Sequence, residues 1–177
     1  MLAATGMAIS AFTSSIGPGV LAACMAFVAC TGGAEGPASS QRVVLGTGEV
    51  VFEPIEGEPV LTLVAGVQGG FHAWASVLAY DFPDGMLDLV LETRVADDPA
   101  LSLTMRARLS LTDTVDSFGA PARVFAGFPA QVAKARCANG QRIRMHVTLS
   151  DAAGSSAEDT RYYIAELAPE QRRDVCP

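Results

Sequence analysis

The chain has 177 residues and a net charge of −7, enough for one domain with a real core and too acidic to favour a phosphate backbone. No basic stripe interleaved with aromatics is present, which excludes the usual footprint of a nucleic-acid binder. The mean hydropathy of +0.31 is inflated by the first 34 residues, which hold no Lys, Arg, Asp, Glu or His, so it does not mark a membrane protein.

Val20 to Ala29 is apolar apart from Cys24, and Gly17-Pro18-Gly19 breaks any longer helix before it. Two small-residue segments end in cysteine, Leu21-Ala22-Ala23-Cys24 and Phe27-Val28-Ala29-Cys30, and the second runs into a polar Gly/Ser stretch from Thr31 to Ser40. This arrangement resembles the signal peptide and lipobox of bacterial lipoproteins. The resemblance implies a signal over residues 1–30, a flexible linker over 31–41 and a folded domain over 42–177. It also implies lipidation at Cys30, with Cys24 as the alternative, and a membrane partner reached through that lipid. The location implied is the periplasmic or outer face of a cell-envelope membrane. The chain departs from the family in having no Lys or Arg before Arg42. An uncleaved anchor over Met7 to Ala29 is the competing reading, opposed by Ser10, Thr13, Ser14, Ser15 and the Gly-Pro-Gly break.

From residue 43 onward the signal is period-two alternation, which puts one set of side chains on each face of a strand. Val43–Phe52, Val60–Val64 and Phe71–Tyr80 are apolar or β-branched enough for strands. Asp88 to Val95 places Leu89, Leu91, Thr93 and Val95 inward, with Val90 as an exception on the outer face. Leu101 to Leu111 alternates cleanly, as does Arg142 to Leu149, with Ala122–Phe128 between them and Thr160–Leu167 after. Turn chemistry separates them at Glu56-Gly57-Glu58-Pro59, Gln68-Gly69-Gly70, Pro83-Asp84-Gly85, Asp97-Asp98-Pro99, Asn139-Gly140 and Asp151 to Gly154. Pro129–Arg136 reads as a single helical turn or as a loop leading to Cys137, and another turn is expected at Pro169–Arg173.

The predicted fold is all-β, an antiparallel β-sandwich of about 7–8 strands. The last strands, joined through Asp151-Ala152-Ala153-Gly154, resemble the final hairpin of bacterial immunoglobulin-like domains, and that resemblance implies an immunoglobulin-like architecture. Gly46-Thr47-Gly48 ahead of Phe52-Glu53-Pro54 resembles an element of exported lipoproteins with no assigned activity. Beyond the leader, Cys137 and Cys176 form an even pair, which in an oxidising compartment reads as a disulfide closing a loop of about 40 residues.

Gln68-Gly69-Gly70-Phe71-His72-Ala73-Trp74 is the densest local group. One reading has His72 and Trp74 lining a shallow site for a sugar ring, a peptide or a metal. The other packs Trp74 between sheets with His72 at the rim, since a domain of this size ordinarily buries its only Trp. His146 and Met145 are adjacent on one strand, point to opposite faces and do not make one metal site. Asp81, Asp84 and Asp88 around Gly85 read as a solvated turn rather than a calcium loop. The chain has no Gly-x-Ser-x-Gly elbow, no His-Glu-x-x-His and no phosphate-binding glycine loop. The expectation is therefore a non-catalytic binding, adhesion or scaffold module with no cofactor, no metal and no catalytic residues, taking a protein or glycan partner. A carbohydrate- or peptide-binding face at Trp74 and His72, with Tyr80 nearby, is the first alternative, and a small carboxylate-dependent hydrolase is the second.

Overall fold

Ten strands form among the described residues, which in this computed structural model are 40–67 and 69–172. They are β1 Arg42–Thr47, β2 Glu53–Pro54, β3 Val60–Ala65, β4 Phe71–Tyr80, β5 Met86–Val95, β6 Asp98–Ser110, β7 Thr112–Val115, β8 Pro121–Gln131, β9 Arg142–Ser150 and β10 Ser156–Leu167. A one-turn helix, α1, covers Ala135–Ala138, and a 3₁₀ turn covers Pro169–Gln171. The chain is all-β, and all the described residues belong to one unit, Pro37–Pro177. Cys24, Cys30, Cys176 and the proposed leader lie outside the described residues.

The strands hydrogen-bond along the path β2-β1-β4-β3-β10-β9-β5-β6, with β8 attached to β4 and β7 to β8. All pairings are antiparallel except β3 with β10, which run parallel from Val60↔Ile164 to Leu63↔Leu167. Strand β3 links the two halves of the path, because its last two residues leave β10 and pair with β4 at Val64↔His72 and Ala65↔Phe71. Both halves send side chains into one core. Val43, Leu45, Ala73, Ala75 and Val77 meet Leu89, Leu91, Met145, Val147 and Tyr163 there.

The inward set expected on β5 is buried as read, from Leu89 to Val95, and on β9 Ile143, Met145, Val147 and Leu149 are fully covered. Strand β6 is different. Leu109 is buried and Leu111 just beyond it is too, but Leu103 is exposed, because β6 is the last strand on the path and pairs only with β5. The strand expected over Val43–Phe52 breaks after Thr47, where Gly48 takes a φ of 107°. The chain then returns as β2, pairing Pro54 with Gly46 and Glu53 with Thr47. That hairpin and the four-residue β7, whose Thr112-Asp113-Thr114-Val115 offers one apolar residue, raise the strand count above the expected seven or eight.

Two turns also move. Asp98 and Pro99 belong to β6, where a proline at the start of an edge strand costs no ladder bond. Pro129 lies in β8 opposite Trp74, so the helical turn starts later than expected, at Ala135. The turn after β9 forms where expected: Asp151 Oδ1 accepts the amides of Ala153 and Ser155 at 2.9 and 3.0 Å. Its Oδ2 accepts Gln41 Nε2 at 2.8 Å.

Candidate functional site

Strand β4 has two dissimilar faces. Ala73, Ala75, Val77 and Ala79 point into the core, and His72, Trp74, Ser76, Leu78 and Tyr80 alternate onto the other face. Trp74 is therefore partly exposed on the outer face, and the expectation that it packs in the core is corrected. Small alanines on either side of it fill the core side, where Tyr163, Met145 and the leucines supply the bulk.

The structure brings His72 and Trp74 together. Their ring centroids are 4.5 Å apart with an interplanar angle of 76°, an edge-to-face contact. His72 is only 8% exposed, and its Nε2 has no hydrogen-bond partner among the described residues. Burial lowers the His72 pKa, and the charge of Glu49 opposes that shift. The pair lines a hollow of about 440 Å³ with Val64, Gly66, Val67 and Gln131. The turn before β4 shapes its wall: Gly69 N–H donates to Gly66 O at 3.0 Å, and Gly66 N–H donates to Gly70 O at 3.1 Å. The site offers an aromatic ring, an apolar rim and one imidazole, a set suited to stacking and hydrogen bonding.

The connection from β1 to β2 crosses this outer face. Gly48 O accepts Ser76 Oγ at 2.8 Å and the Gly127 amide at 3.2 Å. Thr47 Oγ1 donates to Trp74 O at 2.8 Å. Beyond the crossing lies a larger hollow of about 570 Å³, lined by Arg42, Phe52, Leu78, Tyr80, Val115 and Phe118 among others. Tyr80 and Trp74 are six residues apart on one strand, a separation of about 20 Å, so they serve different hollows.

In the larger hollow the Arg42 guanidinium sits 3.8 Å above the Tyr80 ring. Tyr80 Oη donates to Asp116 Oδ2 at 2.9 Å. Asp116 Oδ1 accepts the amides of Phe118 and Ala120, each at 2.9 Å. Those amides, Ala120 first, hold Asp116 below the usual carboxylate range, while burial, followed by the bond to Asp116, raises the Tyr80 phenol. Val50, Val51, Val115 and Phe118 rim the hollow with their side chains largely in solvent. Sequence reading missed this second hollow. Its one signal is apolar residues in otherwise polar turns, Val50-Val51 after Gly48 and Phe118 between Ser117 and Gly119.

The remaining candidates are dispersed. Met145 is in the core, whereas His146 faces out and its Nδ1 lies 2.8 Å from Thr160 Oγ1. Asp88 pairs with Arg108 at 3.0 Å and Asp84 with Arg123 at 3.7 Å. Among the described residues no group of three or more His, Cys, Asp or Glu side chains could hold a metal. Cys137, on α1, is disulfide-bonded. No helix among the described residues is long and apolar enough to cross a membrane. No protein-family model matches this chain, and no curated protein or solved structure matches it.

Proposed function

We propose that the chain is an exported, lipid-anchored cell-envelope protein whose β-sandwich of immunoglobulin-like architecture binds a ligand without catalysing a reaction. The strand pairing supports the architecture. Strands β1, β4, β8 and β7 pair in the order A-B-E-D of such sandwiches, and β10, β9 and β5 pair as G-F-C, with β6 extending that sheet. Strand β3 then has the place of a first strand that switches from its partner in one sheet to the last strand of the other. The uncharged leader and its two lipobox-like segments support export and anchoring at Cys30 or Cys24, and the Gly/Ser run after Cys30 supplies the tether. A disulfide from Cys137 to Cys176 would staple the C-terminal end of the domain.

One observation carries the binding reading: His72 and Trp74 stand side by side on the outer face of β4, over a hollow, where the core has no use for them. A planar indole with an adjacent imidazole suits a sugar ring or an apolar peptide side chain. Trp74 is the only Trp, so its emission reports on that hollow directly. Acrylamide is expected to quench it, and soluble glycan fragments or peptides that bind are expected to protect it. A Trp74 shielded from acrylamide, or indifferent to both ligand panels, would remove this face from consideration. Intact mass of the protein from its native envelope tests the anchor, which requires a diacylglyceryl adduct on an N-terminal cysteine.

A further inference from the structure

We infer that Val50, Val51, Val115 and Phe118 seat one end of the domain on the bilayer that holds its anchor. This rests on the lipid-anchor reading above and adds an orientation to it. Val50 and Val51 lie in the β1–β2 connection, Val115 ends β7 and Phe118 lies in the β7–β8 connection, yet all four rim one hollow. Phe118 is 94% exposed and Val50 81%, an expense in water that a bilayer interface removes. The Asp116 carboxylate turns inward onto the amides of its own loop, which leaves the apolar tip outermost.

The position of the tether favours lipid over another occupant. Residues 31–40 are flexible in composition, and ten such residues span about 17 Å up to Gln41, which Asp151 holds. The next residue, Arg42, lines the same hollow. A lipid on Cys30 therefore holds this rim within about one tether length of the acyl chains, while Trp74 stands about 20 Å farther along β4. The net charge of −7 favours zwitterionic over anionic surfaces.

The test uses full-length acylated protein in phosphatidylcholine vesicles whose acyl chains carry bromine near the headgroup end. The W74F/F118W variant is expected to lose emission relative to plain vesicles, and wild-type protein, reporting through Trp74, is expected to keep its emission. Should W74F fail to fold, F118W alone, with Trp74 retained, is expected to lose part of its total emission. Acylated protein with no bromine quenching at position 118 overturns the seating and leaves the anchor reading intact. Quenching of Trp74 to the same extent also overturns it, since the sheet would then lie flat. A mature protein without an acyl chain overturns the anchor reading, and the seating with it.

Discussion

Gly127 of β8 lies directly under the carbonyl oxygen of Glu49, so close that a β-carbon at position 127 would stand 2.3 Å from it. Its φ of 80° adds backbone strain for any other residue. The contact holds the β1–β2 connection across the outer face and keeps the two hollows apart. G127A is expected to cost about 3 kcal/mol, from strain and from displaced backbone together. It should also raise acrylamide access to Trp74. G119A, with a similar φ of 81° but nothing within 4 Å, is the control, and should cost only about 1 kcal/mol. Urea midpoints of the two variants check the difference.

The His72 imidazole predicts a particular pH dependence. Its folded pKa lies below the ordinary 6.5 because burial disfavours the imidazolium. The unfolded chain then binds more protons near neutrality. The stability contributed by His72 is complete above pH 6.5 and is lost as pH falls from there toward the folded pKa. H72Q should flatten that part of the urea-derived stability curve, and wild type minus variant isolates it. Trp74, 4.5 Å away, should report the same titration as a drop in emission with a midpoint below 6.5. A midpoint above 6.5 would mean that Glu49, rather than burial, governs the ring.

How much of this was legible in the sequence follows from the physics of each signal. Alternation is a strong signal where one face is buried, and for that reason it marks Leu89, Leu91, Thr93 and Val95 on β5 as inward. It weakens on β6, where alternation persists in the sequence but no strand pairs beyond it to bury Leu103. Strands β2 and β7 are too short and polar to give a period at all. Residue type and pattern conflict at Trp74: a lone Trp favours the core, whereas Ala73-Trp74-Ala75-Ser76-Val77 sets it beside His72 and Ser76, the polar positions, and the pattern prevails. The larger hollow needed chain reversal at Gly48 to bring Val50 near Phe118, and no linear spacing encodes that.

Tyr163 is fully buried, and its hydroxyl has no hydrogen-bond partner among the described residues. Desolvation pushes its pKa well above the ordinary range, so the phenol stays neutral at any physiological pH. A buried hydroxyl without a partner costs free energy that a phenyl ring of nearly the same shape does not. Y163F is expected to stabilise the domain by about 1 kcal/mol in urea unfolding. Destabilisation would instead mean that the hydroxyl bonds to an ordered water.

Cys137 links the two ends of the proposal. If it pairs with Cys176, C137S opens a loop of about 40 residues and should cost about 2–4 kcal/mol. Wild type under reducing conditions should unfold at the same urea midpoint as C137S. Non-reducing peptide mapping identifies the partner, and the expected product joins the Cys137 and Cys176 peptides. A Cys137–Cys30 product would have a consequence beyond stability, because a thiol in a disulfide cannot carry the thioether of a lipid. The anchor would then have to move to Cys24, with Met25 to Ala29 left as an apolar start to the mature chain. The same map therefore tests the staple and narrows the anchor, since only a bond to Cys176 leaves both lipidation candidates available.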